Sequence, residues 1–244
     1  MLLAVISDLH ANLEATEAVL HELDAIKPAG IVCLGDLVGY NASPNEVVDL
    51  MRARNIPCVM GNHDAACCGL EEPWFFRSAA KKAIQWTLHT LRDDNKQYLR
   101  GLREQIRFKE YCLGVHGSPA NRDDYIIDWL DAMRAMEHLD GKELRICFFG
   151  HSHRVSLFSE QGAMPFTNGH TGTFPLNSHG RFFVNPGAVG QPRDQDPRAA
   201  YLIFDTEAMA VEFKRVDYDL EGAQRRIIDA GLPPELAKRL AKGK

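Results

Sequence analysis

The sequence predicts an α/β protein built around a parallel sheet, and three observations carry that reading. Short apolar runs at Leu2 to Ile6, Gly30 to Leu34 and Ile56 to Met60 suit buried strands. Stretches with helical spacing lie between them, and strand, helix, strand, helix, strand is the pattern of right-handed crossovers. Each run ends in carboxylate, imidazole or carboxamide side chains, and ligands of open α/β sheets sit just beyond such strand ends.

Leu2 to Ile6 leads into Ser7-Asp8-Leu9-His10. Asp8 and His10 are two residues apart, so an extended backbone would point both the same way. Asn12 is placed to cap a helix from Leu13 to about Ile26, with Leu13, Val19, Leu20 and Leu23 as its apolar stripe. Pro28 and Gly30 stop it. The second strand ends in Gly35-Asp36, and the loop Gly39-Tyr40-Asn41 precedes a helix from about Pro44 to Arg54 with proline in its first turn. The third run leads into Gly61-Asn62-His63-Asp64, where Gly61 is expected to turn the chain through dihedrals closed to other residues.

Residues 74–104 read as helical, with Trp74, Ala83, Trp86 and Leu91 facing inward. Arg107 to Val115 reads as two short strands turning near Lys109-Glu110, the second delivering His116-Gly117. A polar loop, Ser118 to Arg122, precedes a helix from about Ile127 to Leu139. The next strand ends at Phe149 and delivers Gly150-His151-Ser152-His153. Gln161 to Gly180, rich in Gly, Thr, Asn and His, is expected to form a hairpin that walls the site. Phe182 to Val184 is a strand before the string Asn185 to Arg193. Ala200 to Phe204 and Val211 to Val216 read as an antiparallel pair, with helices at about 219–230 and 234–241 closing the chain. Neither a repeat nor a low-complexity tract interrupts residues 1–244, which read as one domain.

A net charge of −5 argues against a protein that tracks a nucleic-acid backbone, so no stable nucleic-acid binding is expected. The opening apolar run is too short for a signal segment, and no run approaches a membrane span. Cys33, Cys58, Cys112 and Cys147 fall in apolar strand-like runs, where cysteine acts as a small hydrophobe. A reducing cytoplasm is the expected compartment.

Five strand ends thus deliver Asp8 with His10, Asp36, Asn62 with His63, His116, and His151 with His153. One histidine after a strand is ordinarily a hydrogen-bonded structural residue, and Asn-His-Asp is ordinary turn chemistry. Five ends with the same cargo make coincidence a poor explanation. Setting His63 aside leaves seven oxygen or nitrogen ligands, too many for one zinc but suited to two ions. Ions about 3.5–4 Å apart need a bridge, and a carboxylate, Asp8 or Asp36, has the two oxygens required. Four imidazoles with few carboxylates favour Mn, Fe, Co, Ni or Zn over Mg or Ca.

The ordered strings Asp8-Leu9-His10, Gly35-Asp36, Gly61-Asn62-His63-Asp64, Val115-His116-Gly117 and Gly150-His151-Ser152-His153 resemble the calcineurin-like metallophosphoesterases. The string Asn185 to Arg193 is similar to that of their small prokaryotic phosphodiesterase branch. The resemblance implies a four-layer α/β/β/α sandwich of two mixed sheets, the second built from the strands near 182, 200 and 211. It implies that Asp8, His10 and His153 hold one metal, that Asn62, His116 and His151 hold the other, and that Asp36 bridges them. His63 would face the leaving oxygen as the catalytic acid, and Arg193 is the candidate second contact to phosphate. The implied activity is hydrolysis of small phosphodiesters or nucleotide-type compounds through a bridging hydroxide. Monoesters or dinucleoside polyphosphates are the alternative substrates, and a scaffold role is the alternative without catalysis. An oligomer is compatible with all of these. The phosphoprotein phosphatases of this superfamily follow Gly-Asp with a second aspartate and an arginine. Leu37-Val38-Gly39-Tyr40 stands in that stretch here, which leaves the acid partner of His63 unassigned and Asp64 as a support behind the ligands or as a helix cap.

Overall fold

Alternation along the first strand, β1 (Leu2–Ile6), sets the layering of the molecule. Leu3 and Val5 enter one apolar cluster while Ala4 and Ile6 enter another. The computed structural model describes residues 1–139, 143–166, 169–176 and 179–244. After β1 come α1 (Leu13–Ile26), β2 (Gly30–Cys33), α2 (Pro44–Ala53), α3 (Asn62–Cys67), α4 (Ser78–Thr90) and α5 (Asp93–Arg100). Then follow β3 (Gln105–Arg107), β4 (Cys112–Val115), α6 (Trp129–Met136), β5 (Ile146–Phe148), β6 (Val155–Ser159), β7 (Gly162–Ala163) and β8 (Gly172–Pro175). The chain closes with β9 (Phe182–Pro186), β10 (Ala199–Asp205), β11 (Ala210–Val216), α7 (Leu220–Asp229) and α8 (Pro234–Leu240).

Two mixed sheets form, ordered β2-β1-β10-β11-β8 and β3-β4-β5-β9-β6-β7. Between them Val5, Leu202, Phe204 and Phe213 meet Phe148, Leu157 and Val184, each side chain contributing about 1.5–3 kcal/mol on burial. Leu20 of α1, Val48 of α2, Ala66 of α3 and Leu99 of α5 cover the outer face of the first sheet. Ala132 and Met136 of α6 cover Leu113, Cys147 and Phe183 on the second. These are the four α/β/β/α layers expected.

Strand membership differs from expectation. β9 pairs in parallel with β5 in the second sheet, whereas β10 joins the first sheet beside β1, with Leu3 opposite Phe204, and brings β11 with it. β10 is buried on both faces almost throughout, as a central strand must be. Ile56 to Met60 makes only single bridges, Cys33 to Cys58 and Val59 to Arg103. Pro57, with no N–H to donate, helps keep it from lengthening into a ladder. Residues 74–104 divide into a short turn at Pro73–Phe75, α4 and α5. Ala83 and Leu91 are buried and Trp86 half-buried, but Trp74 is 69% exposed beneath the Lys81 ammonium. All six cysteines are free and buried. Among the described residues no helix is long and apolar enough to cross a membrane.

β1 runs parallel to β2, and β4, β5 and β9 run parallel to one another. The polar clusters therefore leave the carboxyl ends of strands in both sheets and meet at one edge of the sandwich.

Candidate metal centre and its cavity

The backbone at this edge is strained. Asp8, His10, Asp36, His151 and His153 have φ of 54°, 47°, 53°, 64° and 58°. Such left-handed conformations cost non-glycine residues about 1–3 kcal/mol each and persist where the surroundings over-determine them. Asp8 and His10 are thus not neighbours on an extended face, as their spacing implied; a tight turn brings them together instead. Hydrogen bonds hold that turn, from Asp8 N–H to Gly35 O (3.0 Å), His10 N–H to Asp36 O (2.8 Å) and Gly190 N–H to Asp8 O (2.8 Å). The Asn12 and Asn41 amides add bonds to Gly190 O (2.9 Å) and His10 O (2.8 Å).

Two glycines let the loops touch. A Cβ on Gly61 would lie 2.0 Å from Asp36 Oδ1, and one on Gly150 would lie 2.0 Å from Ser7 Oγ. Gly61 has φ −88°, open to any residue, so close approach rather than dihedral freedom requires glycine there. Gly61 caps α3, whose first turn carries Asn62, His63 and Asp64. The Asp64 carboxylate accepts from Gly61 N–H (3.0 Å) and Val38 N–H (3.2 Å). It is a cap, and Nδ1 of His63 is buried with no partner among the described residues.

Three imidazoles are fixed through Nδ1 by backbone carbonyls: His10 by Val38 O (3.1 Å), His116 by Leu34 O (2.8 Å) and His153 by Gln191 O (2.6 Å). With Nδ1 donating, Nε2 is the atom turned toward the site. His10 Nε2 and His153 Nε2 approach to 3.1 Å, and burial pushes both imidazoles well below their usual range, leaving no proton between them. Asp8 Oδ1 stands 3.4 Å from His153 Nε2 and 3.8 Å from His10 Nε2. Asp36 Oδ2 stands 3.4 Å from His10 Nε2 and 3.3 Å from His116 Nε2. Asn62 Oδ1 is 3.2 Å from His116 Nε2. His151 Nε2 is buried without a partner, and burial pushes its imidazole down to about 3.

Burial alone would raise the Asp36 carboxyl, but His116, His63 and His10 hold it well below the usual carboxylate range. Burial and the Asp36 charge push Asp8 up to about 7. Against burial, Asp36 draws His116 up to about 9, the one imidazole of the cluster that keeps a second proton. The rest are buried lone pairs facing lone pairs, each costing about 1–3 kcal/mol unless a cation lies among them. The donor atoms fall into two groups, Asp8-His10-Asp36-His153 and Asp36-His116-His151, each within 4.8 Å of one another. Asp36 belongs to both, and the Asn62 carboxamide adjoins the second through His116. Oxygen and imidazole donors of this kind fit divalent transition-metal ions.

Strain and facing acceptors together approach the net stability of a domain. A divalent ion should therefore stabilise the fold measurably. At about 100 times its dissociation constant it adds roughly 2.7 kcal/mol, or a melting shift of about 5–10 °C. Calorimetry of chelator-treated protein with and without added Mn checks this; an unchanged melting temperature would reject a cation site.

Asn62, His63 and His151 open onto a cavity of about 1080 Å³. Tyr40 packs against His10 and His63, with ring centroids 4.6 and 4.4 Å apart. Phe76 meets His63 edge-on at 4.9 Å, and Tyr125 lies on His151 at 3.9 Å. Arg193 donates to the Tyr40 hydroxyl (3.1 Å). The segments near 71–80 and 123–127 line this cavity, but none of the described residues of 161–180 does, against the expectation that this stretch walls the site. Residues 167–168 and 177–178 of that stretch lie outside the described residues. β7 pairs instead with β6 and β8 with β11, at the edges of the two sheets. In its place α8 and the chain end supply Glu235, Arg239 and Lys244. Sequence reasoning missed Arg239 and the aromatic side chains Tyr40, Phe76 and Tyr125. The only signal was the glycine beside Tyr40, because helical periodicity does not say where a terminal helix docks. Arg122 pairs with Glu71 and Glu104.

Residues 1–209 match the family model of the calcineurin-like phosphoesterase superfamily domain. The uncharacterized protein MJ0912 of Methanocaldococcus jannaschii is 36% identical over 250 residues, spanning 100% of this chain and 98% of its own. The crystal structure of a metallophosphoesterase from Sphaerobacter thermophilus is 39% identical with a TM-score of 0.87, covering 100% of this chain and 99% of its own. That of hypothetical protein PH1004 from Pyrococcus horikoshii shares the fold, with a TM-score of 0.81 at 22% identity over 100% of this chain and 98% of its own.

Proposed function

This chain belongs to the calcineurin-like phosphoesterase superfamily, and from that premise we propose a metal-dependent phosphodiesterase acting on small or nucleotide-type phosphodiesters. The observation that carries the proposal is the position of Asp36, whose Oδ2 is common to both donor groups, as a carboxylate between two ions would be. Asp8, His10 and His153 would hold one ion, and Asn62, His116 and His151 the other. When bound, such ions supply Lewis-acid activation of the phosphoryl group and of a water molecule.

The protein's own side chains do the rest. Arg193 presents a guanidinium to an anionic substrate, and Asn62, being neutral, adds no charge against an anion. Tyr125 and Phe76 cover His151 and His63 and limit water around them. His63 turns its ring toward the cavity without belonging to either donor group. Burial pushes it down to about 4, so it is neutral in the free protein. Acting as a full proton donor to the departing oxygen requires the negative phosphate to draw it back up on binding.

Tyr40, rather than a carboxylate, packs beside His63, which supports diesters over phosphoprotein substrates. With added Mn, kcat/KM for bis(p-nitrophenyl) phosphate is expected to exceed that for p-nitrophenyl phosphate and for a phosphoserine peptide. A clear preference for the phosphopeptide would overturn the diester reading, and absence of all three activities in metal-loaded protein would overturn the enzyme.

A further inference from the structure

The cavity wall brings two arginine guanidiniums to one aromatic ring. Arg193 and Arg239 each place the guanidinium carbon 5.7 Å from the centroid of the Tyr40 ring. Tyr40 in turn touches His10 and His63, so both cations stand one ring away from the metal-type cluster. They arrive from distant parts of the chain. Arg193 follows β9, anchored by its N–H to His153 O (3.1 Å). Arg239 sits in the last turn of α8, beyond the residues 1–209 that match the family model. Leu236, Ala237 and Leu240 seat α8 against Ile227, Ala83 and Tyr40 itself.

Neither guanidinium makes an ion pair among the described residues, whereas Arg52, Arg92, Arg122 and Arg215 all do. Arg193 donates only to the Tyr40, Gln191 and Tyr125 side chains, and Arg239 Nε donates to Lys244 O (2.8 Å). Of the four acids that line the cavity, Glu71 and Asp123 are engaged by Arg122, and neither Glu72 nor Glu235 forms an ion pair with Arg193 or Arg239 among the described residues. Burial and the charges of Arg193 and Arg77 lower the Arg239 guanidinium from its ordinary range, whereas for Arg193 burial is outweighed by Tyr40, Tyr125 and Asp8, which raise it. The like charge beside Arg239 is unfavourable to it, and a bound anion removes that cost.

We propose that Arg193 and Arg239, gathered at Tyr40, form a second anion subsite, and that the substrates carry a phosphoryl group there besides the scissile one. That names phosphoesters with at least two phosphoryl groups, of the nucleoside-polyphosphate class. The size agrees: about 1080 Å³ is far more than one phosphate needs and is at the upper end for small-ligand sites. The substrate statement rests on the phosphoesterase reading, but the anion subsite does not.

The test is calorimetric titration of inorganic tripolyphosphate into the chelator-treated full chain, so that no metal or turnover enters. Wild-type protein should bind, and Arg239→Gln should weaken binding at least about tenfold, about 1.4 kcal/mol. Arg239→Lys should recover part of the loss. Arg225→Gln removes an exposed charge from α7 outside the cavity and should change binding less than about twofold at equal ionic strength. If Arg239→Gln fails to fold, Arg193→Gln carries the same expectation. No binding by wild type, wild-type binding by Arg239→Gln, or equal weakening by Arg225→Gln would overturn the subsite. Tripolyphosphate binding that depends on Arg239 in a protein that hydrolyses no phosphoester would overturn the proposed function and leave the subsite standing.

Discussion

Asp36→Asn should strip the protein of most bound metal and nearly all activity while leaving the fold in place. The side chain is fully buried, and its Oδ1 accepts the His63 N–H at 2.9 Å, a bond that an asparagine oxygen keeps. Its Oδ2 is the atom near both His10 Nε2 (3.4 Å) and His116 Nε2 (3.3 Å). Replacing that oxygen by an amide nitrogen removes the shared negative charge and points hydrogens where cations would lie. Losing about 4 kcal/mol of charge stabilisation corresponds to roughly 10³-fold in rate. Elemental analysis and kcat/KM on the same preparation check this. A full metal complement with near-normal turnover would remove Asp36 from the bridging role.

His63→Ala should do the opposite to metal content, with both ions retained and kcat falling by roughly 10²- to 10⁴-fold. Its Nδ1 faces Gly39, where an added Cβ would lie 2.4 Å away, and not the donor groups. Its backbone N–H, the part that touches Asp36, survives the substitution. The loss should be larger for alkyl leaving groups, which need a proton, than for nitrophenolate, which departs without one. His116→Ala, by contrast, should weaken metal binding and be partly rescued by excess metal. Metal loss in His63→Ala, or an equal rate drop for both leaving groups, would assign His63 a packing or ligand role.

Where structure depends on neighbours in sequence, the chain could be read directly. Asn12 Oδ1 accepts the Ala15 N–H at 3.1 Å and starts α1 at Leu13, an interaction that spans three residues. The Pro44 helix and the terminal helices fell within a residue or two of their expected bounds for the same reason. The pairing of β10 with β11 could be read from their adjacency, but its pairing with β1 could not, because strand propensity states that a segment pairs and not with what. Nor could the role of Gly61, since the Asp36 oxygen that forbids a Cβ lies 25 positions away in sequence.

Sequence by itself determined which residues leave the ends of apolar runs: Asp8, His10, Asp36, Asn62, His63, His116, His151 and His153. A polar side chain directly after a buried strand must emerge at the sheet edge, and that is a local fact. Only the tertiary structure decided that left-handed turns aim these side chains, that Asp64 caps α3, and that Tyr40 packs beside His63. It alone brought Arg239 to Arg193, by docking α8 on the apolar side chains of α4 and α7. Those outcomes depend on contacts between segments far apart in the chain, and such contacts exist only once both sheets and the terminal helices have packed.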